Sequence, residues 1–188
     1  MNRLPDEDLL KLIAAGDRLA FEALYGRHQV KLYRFLLRLT NNETVAEDIV
    51  SDVFFDVWQQ AGRFEARSTV STWLFAIARF KALSARRERQ HFEPGPGEAM
   101  EDIVEDPGDD PENSVQKADK GKIIQHCLKL LSSSHREAID LVYYHGKTIK
   151  EVGEILRIPE NTVKTRMFHA RKRLSELLVA AGVDRGWP

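Results

Sequence analysis

Residues suited to nucleic-acid recognition lie in the segment 148–174, near the C-terminus. Phe168 stands off the apolar stripe of its predicted helix and shares a face with Asn161, Lys164, Thr165 and Lys172. Packing into a core does not explain an aromatic ring at this position. A ring can contact a thymine methyl, and lysine and threonine side chains can reach base edges in the major groove. The combination predicts contact with duplex DNA.

Cationic side chains surround this face with no acidic residue between them. They are Lys164, Arg166, Arg171, Lys172 and Arg173. A simpler interpretation is a solvated basic helix end, because cations near a helix C-terminus are favourable. That interpretation accounts for the charge, but not for the off-stripe ring or for the turn that precedes the helix.

Two helical patterns must position these side chains. Apolar residues share one face of the first, Ile149, Val152, Ile155 and Leu156, and form a stripe on the second, Val163, Met167, Ala170, Leu174 and Leu177. Pro159 suits the first turn of the second helix, where its missing N–H would have no partner. Helix, tight turn, helix is the arrangement of the DNA-binding helix-turn-helix.

A second candidate surface lies at 63–81. It interleaves cations with aromatic rings: Arg63, Phe64, Arg67, Trp73, Phe75, Arg79, Phe80 and Lys81. Small hydroxyls stand among them at Ser68, Thr69, Ser71 and Thr72. Unpaired bases stack on such rings for roughly 1–3 kcal/mol each, while cations hold the backbone. The alternative is an ordinary helix core, which we favour for Phe75; for Trp73 and the 65–72 loop we favour the binding role.

The other patterns are helical as well, and no strand pattern competes. Helices are predicted over 6–16, 19–40, 43–60, 71–90, 115–131 and 135–145, with Ser71 capping the fourth and Ser132–Ser134 the sixth. The 43–60 helix has one apolar face and one acidic face. The fold class predicted is all-α.

Composition changes abruptly in the middle of the chain. Between Gln90 and Gln116 there is no lysine or arginine, and acids alternate with prolines and glycines. Such a stretch cannot bury a core, so we predict a flexible acidic linker between two small helical domains. The sequence leaves open whether it is a plain tether or makes a specific contact.

Charge and cysteine content exclude several classes of protein. The net charge of −1 excludes a uniformly basic nucleic-acid binder, and a single cysteine, Cys127, excludes a disulfide framework. We expect no membrane insertion, no signal peptide and a cytoplasmic location. The six histidines show no metal-ligand spacing, so we expect no metal and no cofactor.

Four stretches in this order resemble the extracytoplasmic-function (ECF) group of bacterial sigma-70 factors. They are AGDRLAFEALYGRHQVKLYRFLLRL (15–39), AEDIVSDVFFDVWQQAGRF (46–64), STWLFAIARFKALSARRER (71–89), and 148–173 preceded by LSSSHREAIDLVYYHGKT. The resemblance implies a region 2 domain at 1–91, a linker at 92–114, a region 4 domain at 115–182 and a tail at 183–188. It further implies core RNA polymerase, promoter DNA and an anti-sigma factor as partners, no small-molecule substrate and no enzymatic activity.

The resemblance also assigns roles to residues. Docking on polymerase is implied for Asp48, Ser51, Asp52, Phe55 and Asp56. Capture of the melted minus-ten strand is implied for Phe64, Arg67, Ser68, Thr69, Thr72, Trp73, Arg79 and Lys81. Recognition of the minus-thirty-five duplex is implied for Lys164, Thr165, Arg166, Phe168, His169, Arg171, Lys172 and Arg173.

Several residues depart from the family's pattern. Arg157 replaces a common turn glycine, Gly153 a small alanine, Phe80 a polar residue and His169 an arginine.

Two other functions fit a C-terminal helix-turn-helix: a regulator with an N-terminal sensor, or an enzyme acting on DNA. Neither a ligand pocket nor a convincing nucleophile is visible in the sequence, since Ser68 and Ser71 near Arg67 form too local a cluster.

Overall fold

The computed structural model describes residues 3–92 and 115–183, and every regular element in these two stretches is helical. The prediction of an all-α fold is confirmed. Contacts divide the chain into two compact units. The predicted acidic linker, but for its first residue, Phe92, lies at 93–114, outside the described residues.

The first unit contains α1 (Asp6–Ala14), α2 (Arg18–Thr40), α3 (Glu43–Gln60) and α4 (Val70–Phe92), with a short 3₁₀ turn at Ala61–Arg63. Side-chain caps set two of the boundaries. The Asp17 carboxylate accepts from the backbone N–H groups of Leu19 and Ala20, and the Asn42 side chain accepts from that of Val45. Between α2 and α3, Asn41 takes a left-handed conformation at φ 52°.

Residues at helical spacing on α2, α3 and α4 form the core of this unit. Phe35, Val53, Leu74 and Phe75 are all essentially inaccessible to solvent. The rings of Phe35 and Phe75 pack with centroids 5.1 Å apart. The prediction that Phe75 is a core residue is therefore confirmed, and burial of such a side chain stabilises the fold by roughly 1.5–3 kcal/mol.

An ionic cluster ties α1 to α2. The Asp6 carboxylate accepts a hydrogen bond from Arg27 at 2.6 Å and lies 2.6 Å from Nε2 of His28. Arg27 also donates to the Leu4 carbonyl at 2.7 Å. Burial raises the pKa of Asp6, but the hydrogen bonds from Arg27 and His28, with their charges, outweigh it and hold that pKa below its usual 3.8.

The start of α4 corrects one prediction. Thr69, not Ser71, is the capping residue: its hydroxyl accepts from the Thr72 N–H at 3.2 Å and its carbonyl accepts from the Trp73 N–H at 3.0 Å. Ser71 already lies within the first turn, because α4 begins at Val70. The side-chain cap closest to the first free N–H groups determines where a helix begins.

The second unit contains α5 (Val115–Lys129), α6 (Ser133–Ile139), α8 (Glu160–Ala180) and, up to Gly153, α7 (Ile149–Leu156). Ser132 caps α6, as predicted. The helix predicted over 135–145 stops being α-helical at Ile139 and continues as one wide π turn, Asp140–Tyr144. There the His145 N–H donates to the Asp140 carbonyl, five residues back.

The turn between α7 and α8 confirms the predicted helix-turn-helix and explains two of its unusual residues. Arg157 is left-handed at φ 55°, a conformation that favours glycine, and the Ile158 N–H closes the turn on the Gly153 carbonyl at 3.0 Å. A Cβ on Gly153 would lie 3.0 Å from the Ile158 carbonyl oxygen, so the small residue permits this close approach. Pro159 precedes the first turn of α8 instead of opening it.

Candidate nucleic-acid and polymerase interfaces

The regular geometry of α8 separates its buried stripe from its exposed face. Of the predicted stripe, Val163, Met167 and Ala170 are buried and Leu174 and Leu177 are half-buried, whereas Phe168 is 60% exposed. The exposed face also carries Lys164, Thr165, His169 and Lys172. The Phe168 and His169 rings lie edge to face with centroids 5.4 Å apart. The structure thus presents the predicted base-facing side chains together on one rigid helix.

The arginines of α8 differ in their surroundings. Arg166 is half-buried. Nε of Arg171 donates to the Met167 carbonyl at 3.3 Å, and Arg173 pairs with Glu176 at 3.2 Å. The Arg173–Glu176 pair is exposed on both sides and is worth at most about 1 kcal/mol, so a phosphate can displace Glu176. The Thr165 hydroxyl donates to the Asn161 carbonyl at 3.0 Å, which leaves its oxygen able to accept.

In the first unit, the 61–69 segment brings Phe64 against Trp73. The two ring centroids are 5.2 Å apart, and both residues are half-buried. Ala66 is left-handed at φ 52°, and beside it Arg67 pairs with Glu65 at 2.6 Å through two exposed side chains. These contacts hold an aromatic pair and a cation at the start of α4, in the segment predicted to hold unpaired bases.

Of the hydroxyls predicted to contact DNA, Thr72 must be reassigned. It is only 1% exposed, and its oxygen accepts from the Thr69 hydroxyl at 2.9 Å, so it secures the cap of α4. Thr69 is exposed, and Ser68 and Arg79 are half-buried. Burial of Thr72 follows from its position over the core, one residue before Trp73. The cap at Thr69 sets that position, whereas the sequence pattern predicted the cap at Ser71, two residues later.

The acidic face of α3 forms a third surface. Asp48, Ser51 and Asp52 are exposed, and Phe55 is 59% exposed although it is apolar. Asp56 is half-buried, and one of its carboxylate oxygens lies 2.9 Å from Nζ of Lys81 on α4. Sequence reasoning missed this pair, since nothing in the local pattern relates a side chain of α3 to one of α4.

In 3–92 and 115–183, no group of three or more His, Cys, Asp or Glu side chains is arranged to hold a metal ion. Over the same part of the chain, no helix combines the length and apolar character needed to span a membrane.

Comparison with known proteins connects these surfaces to a family. Residues 24–92 match sigma-70 region 2, and residues 121–174 match sigma-70 region 4. The sigma factor SigM of Mycobacterium tuberculosis is 34% identical over 92% of this chain and 84% of its own length. The chain belongs to the ECF RNA polymerase sigma factors of the sigma-70 family. As such, it binds core RNA polymerase and directs promoter recognition and transcription initiation.

Other relatives agree with this assignment. The sigma factor SigK of a Mycobacterium species is 30% identical over 90% of this chain and 89% of its own. The sigma factor RpoE of Bartonella quintana, solved in complex with the anti-sigma factor NepR, superposes with a TM-score of 0.66 at 30% identity, covering 84% of this chain and 94% of that one. CnrH, solved with the cytosolic domain of CnrY, has the same fold at a TM-score of 0.67 and 24% identity, covering 93% of this chain and 97% of that one.

Proposed function

We propose that this sigma factor divides its work among three surfaces. The acidic face of α3, with Asp48, Ser51, Asp52, Phe55 and Asp56, docks on core polymerase. The 64–69 loop with Trp73, Arg79 and Lys81 holds the melted minus-ten strand. The exposed face of α8, from Lys164 to Arg173, binds the minus-thirty-five element as duplex. The proposed boundaries are 1–91 and 115–182 for the two binding domains, with 92–114 as linker and 183–188 as tail.

The observation that carries this proposal is the position of Phe168. It is 60% exposed on the face opposite a buried stripe, beside Lys164, Thr165 and His169. An exposed ring costs solvation without stabilising the fold, whereas in the major groove it gains apolar contact with a thymine methyl. Arg166, Arg171 and Arg173 flank this face and suit phosphates, which position a protein without specifying sequence.

Run-off transcription with core polymerase and a randomised promoter library tests the assignment. We expect defined start sites, with sequence enrichment at two boxes upstream of them. Substitutions on α8 should alter only the distal box, and substitutions of Phe64 or Trp73 only the proximal one. Changes in the opposite boxes, or in both at once, would contradict the division of labour.

The protein by itself should bind promoter DNA weakly. Its net charge is −1, and contact with about four phosphates would lose roughly a hundredfold in affinity for a fourfold rise in salt. Polymerase would supply the missing affinity through effective concentration. A nanomolar promoter complex formed without polymerase would contradict this part of the proposal.

Regulation by an anti-sigma factor is part of the proposal, supported by the complex of RpoE with NepR. The anti-sigma factor would block transcription by covering a surface that core polymerase needs. We further propose a cytoplasmic location and a purely binding role without catalysis. Purification with an anti-sigma protein that inhibits run-off transcription, and release of activity on its removal, would support this control.

A further inference from the structure

Lys81 lies between two surfaces that are proposed to bind different partners. Its Nζ is 2.9 Å from a carboxylate oxygen of Asp56 and 3.9 Å from one of Asp52, both on α3. The Lys81 side chain is 23% exposed, and that of Asp56 is 30% exposed. Lys81 itself extends from α4, the helix that carries Trp73 and Arg79.

One ammonium group cannot fully neutralise a carboxylate and a DNA phosphate at the same time. While Asp56 holds Lys81, the cation is drawn towards α3 and its attraction for a phosphate is largely cancelled. A basic surface that binds Asp52 and Asp56 competes with Lys81 for these carboxylates. If docking on polymerase raises the affinity for DNA by some factor, DNA binding must raise the affinity for polymerase by the same factor, because coupling between two binding events is reciprocal.

We propose that the Lys81–Asp56 pair is an autoinhibitory contact that links strand capture to polymerase docking. In the free sigma factor the acids of α3 hold Lys81 away from DNA. When a basic polymerase surface occupies those acids, Lys81 becomes available to the backbone of the melted strand. This inference rests on the proposed function, in which α3 docks and α4 binds the strand.

The size of the effect follows from the exposure of the pair. Partly exposed ion pairs alter an equilibrium by about two- to fivefold. The effect should therefore bias the free protein against single-stranded DNA without abolishing binding. It should weaken further as salt rises, because salt screens exposed charges.

Asp56→Asn, which removes one charge at nearly constant shape, provides the main test. Binding of the full chain to a fluorescent single-stranded oligonucleotide would be measured at low salt. We expect Asp56→Asn to bind about two- to fivefold more tightly than wild type. Glu47→Gln is the matched control, since Glu47 is an exposed acid on the same helix and lies outside the pair. The gain should disappear when Asp56→Asn is combined with Lys81→Met.

Equal gains from Asp56→Asn and Glu47→Gln would reduce the effect to net charge and overturn the proposal. So would a gain that survives in the Lys81→Met background. A gain that persists undiminished at saturating core polymerase would also overturn it, because docking should already have released Lys81.

The salt dependence of strand binding gives a second, independent measurement. Lys81→Met should reduce its slope by about 0.7 in the polymerase-bound state, the value for one phosphate on a single strand, and hardly at all in the free protein. Equal slope changes in both states would overturn the proposal. If wild type failed to bind core polymerase, the proposed function would fail instead, while the experiment on the free protein would still decide whether Asp56 restrains Lys81.

Discussion

The two candidate DNA surfaces differ in how far their side chains are engaged within the protein. On α8, Phe168 projects into solvent and Lys164 stands exposed on a regular helix. In the first unit, Phe64 packs on Trp73, Arg67 pairs with Glu65 and Lys81 pairs with Asp56. On α8 the internal pairs join neighbours on one helix, as in Arg173–Glu176 and Phe168–His169, whereas in the first unit Phe64–Trp73 and Lys81–Asp56 join different elements.

This difference corresponds to what each surface is proposed to bind. Duplex DNA offers a groove of fixed shape, so a rigid helix with preset side chains loses little entropy on docking. A melted strand has no fixed shape, and its bases must be taken up one at a time on rings and cations. Pairs that open at modest cost suit the second task. Loss of a side chain on α8 should therefore affect DNA binding alone. Loss of a side chain on the surface of the first unit should affect both DNA binding and the contacts within the protein.

The largest effect should separate two aromatic residues of α4. Phe75→Ala removes a buried ring that packs on Phe35 and should lower the free energy of unfolding by about 3–5 kcal/mol. Trp73→Ala removes a half-buried ring and should cost less stability, yet impair promoter opening in the folded protein. Chemical unfolding followed by permanganate footprinting would measure both. Equal loss of stability in the two variants would mean that Trp73 is simply part of the core.

Phe168→Ala tests the exposed face of α8. Loss of the apolar area that the ring buries against a base, worth about 1.5–3 kcal/mol at most, should reduce promoter use by up to roughly 10- to 150-fold, with core binding and unfolding unchanged. Val179→Ala is the control, because Val179 is an equally exposed apolar residue on the same helix, beyond the basic stretch. Run-off transcription at fixed polymerase would measure the effect. Similar losses in the two variants would indicate damage to the helix and not to a contact.

The fold could be predicted from the sequence further than the contacts could. Helical spacing predicts the buried stripe of α8 and the burial of Phe75, because periodicity is a local property. The capping role of Thr69 was missed because Ser71 offers the same hydroxyl two residues later, and only the packed position of Thr72 distinguishes them. The Lys81–Asp56 pair joins helices far apart in sequence, so no local pattern encodes it.

The ionic cluster at α1 should give a smaller, pH-dependent effect on the stability of the first unit. Because the pKa of Asp6 is held below its usual 3.8, its contribution is present above about pH 4 and is lost as pH falls through the lowered value. Asp6→Asn should therefore lower the free energy of unfolding by about 1 kcal/mol at pH 7, and the difference from wild type should shrink in acid. Asp8→Asn is the control, since Asp8 pairs with the exposed Lys11 of the same helix. A difference that grew as pH fell would contradict the assignment.

The smallest effect concerns the turn that orients α8. Arg157 takes a left-handed conformation, which costs a residue with a side chain about 1 kcal/mol or more. Glycine avoids this cost, but it also gives the unfolded chain more conformational freedom, which offsets part of the gain in stability. Arg157→Gly should therefore raise the free energy of unfolding by about 0.5–1 kcal/mol. Lys150→Gly, at an exposed position in the first turn of α7, should lower it by up to about 1 kcal/mol. Urea unfolding would measure the free energy of unfolding of both variants. A rise for Arg157→Gly with a fall for Lys150→Gly would support a turn strained by Arg157, because glycine is favoured only at a left-handed position; a fall for both would contradict it.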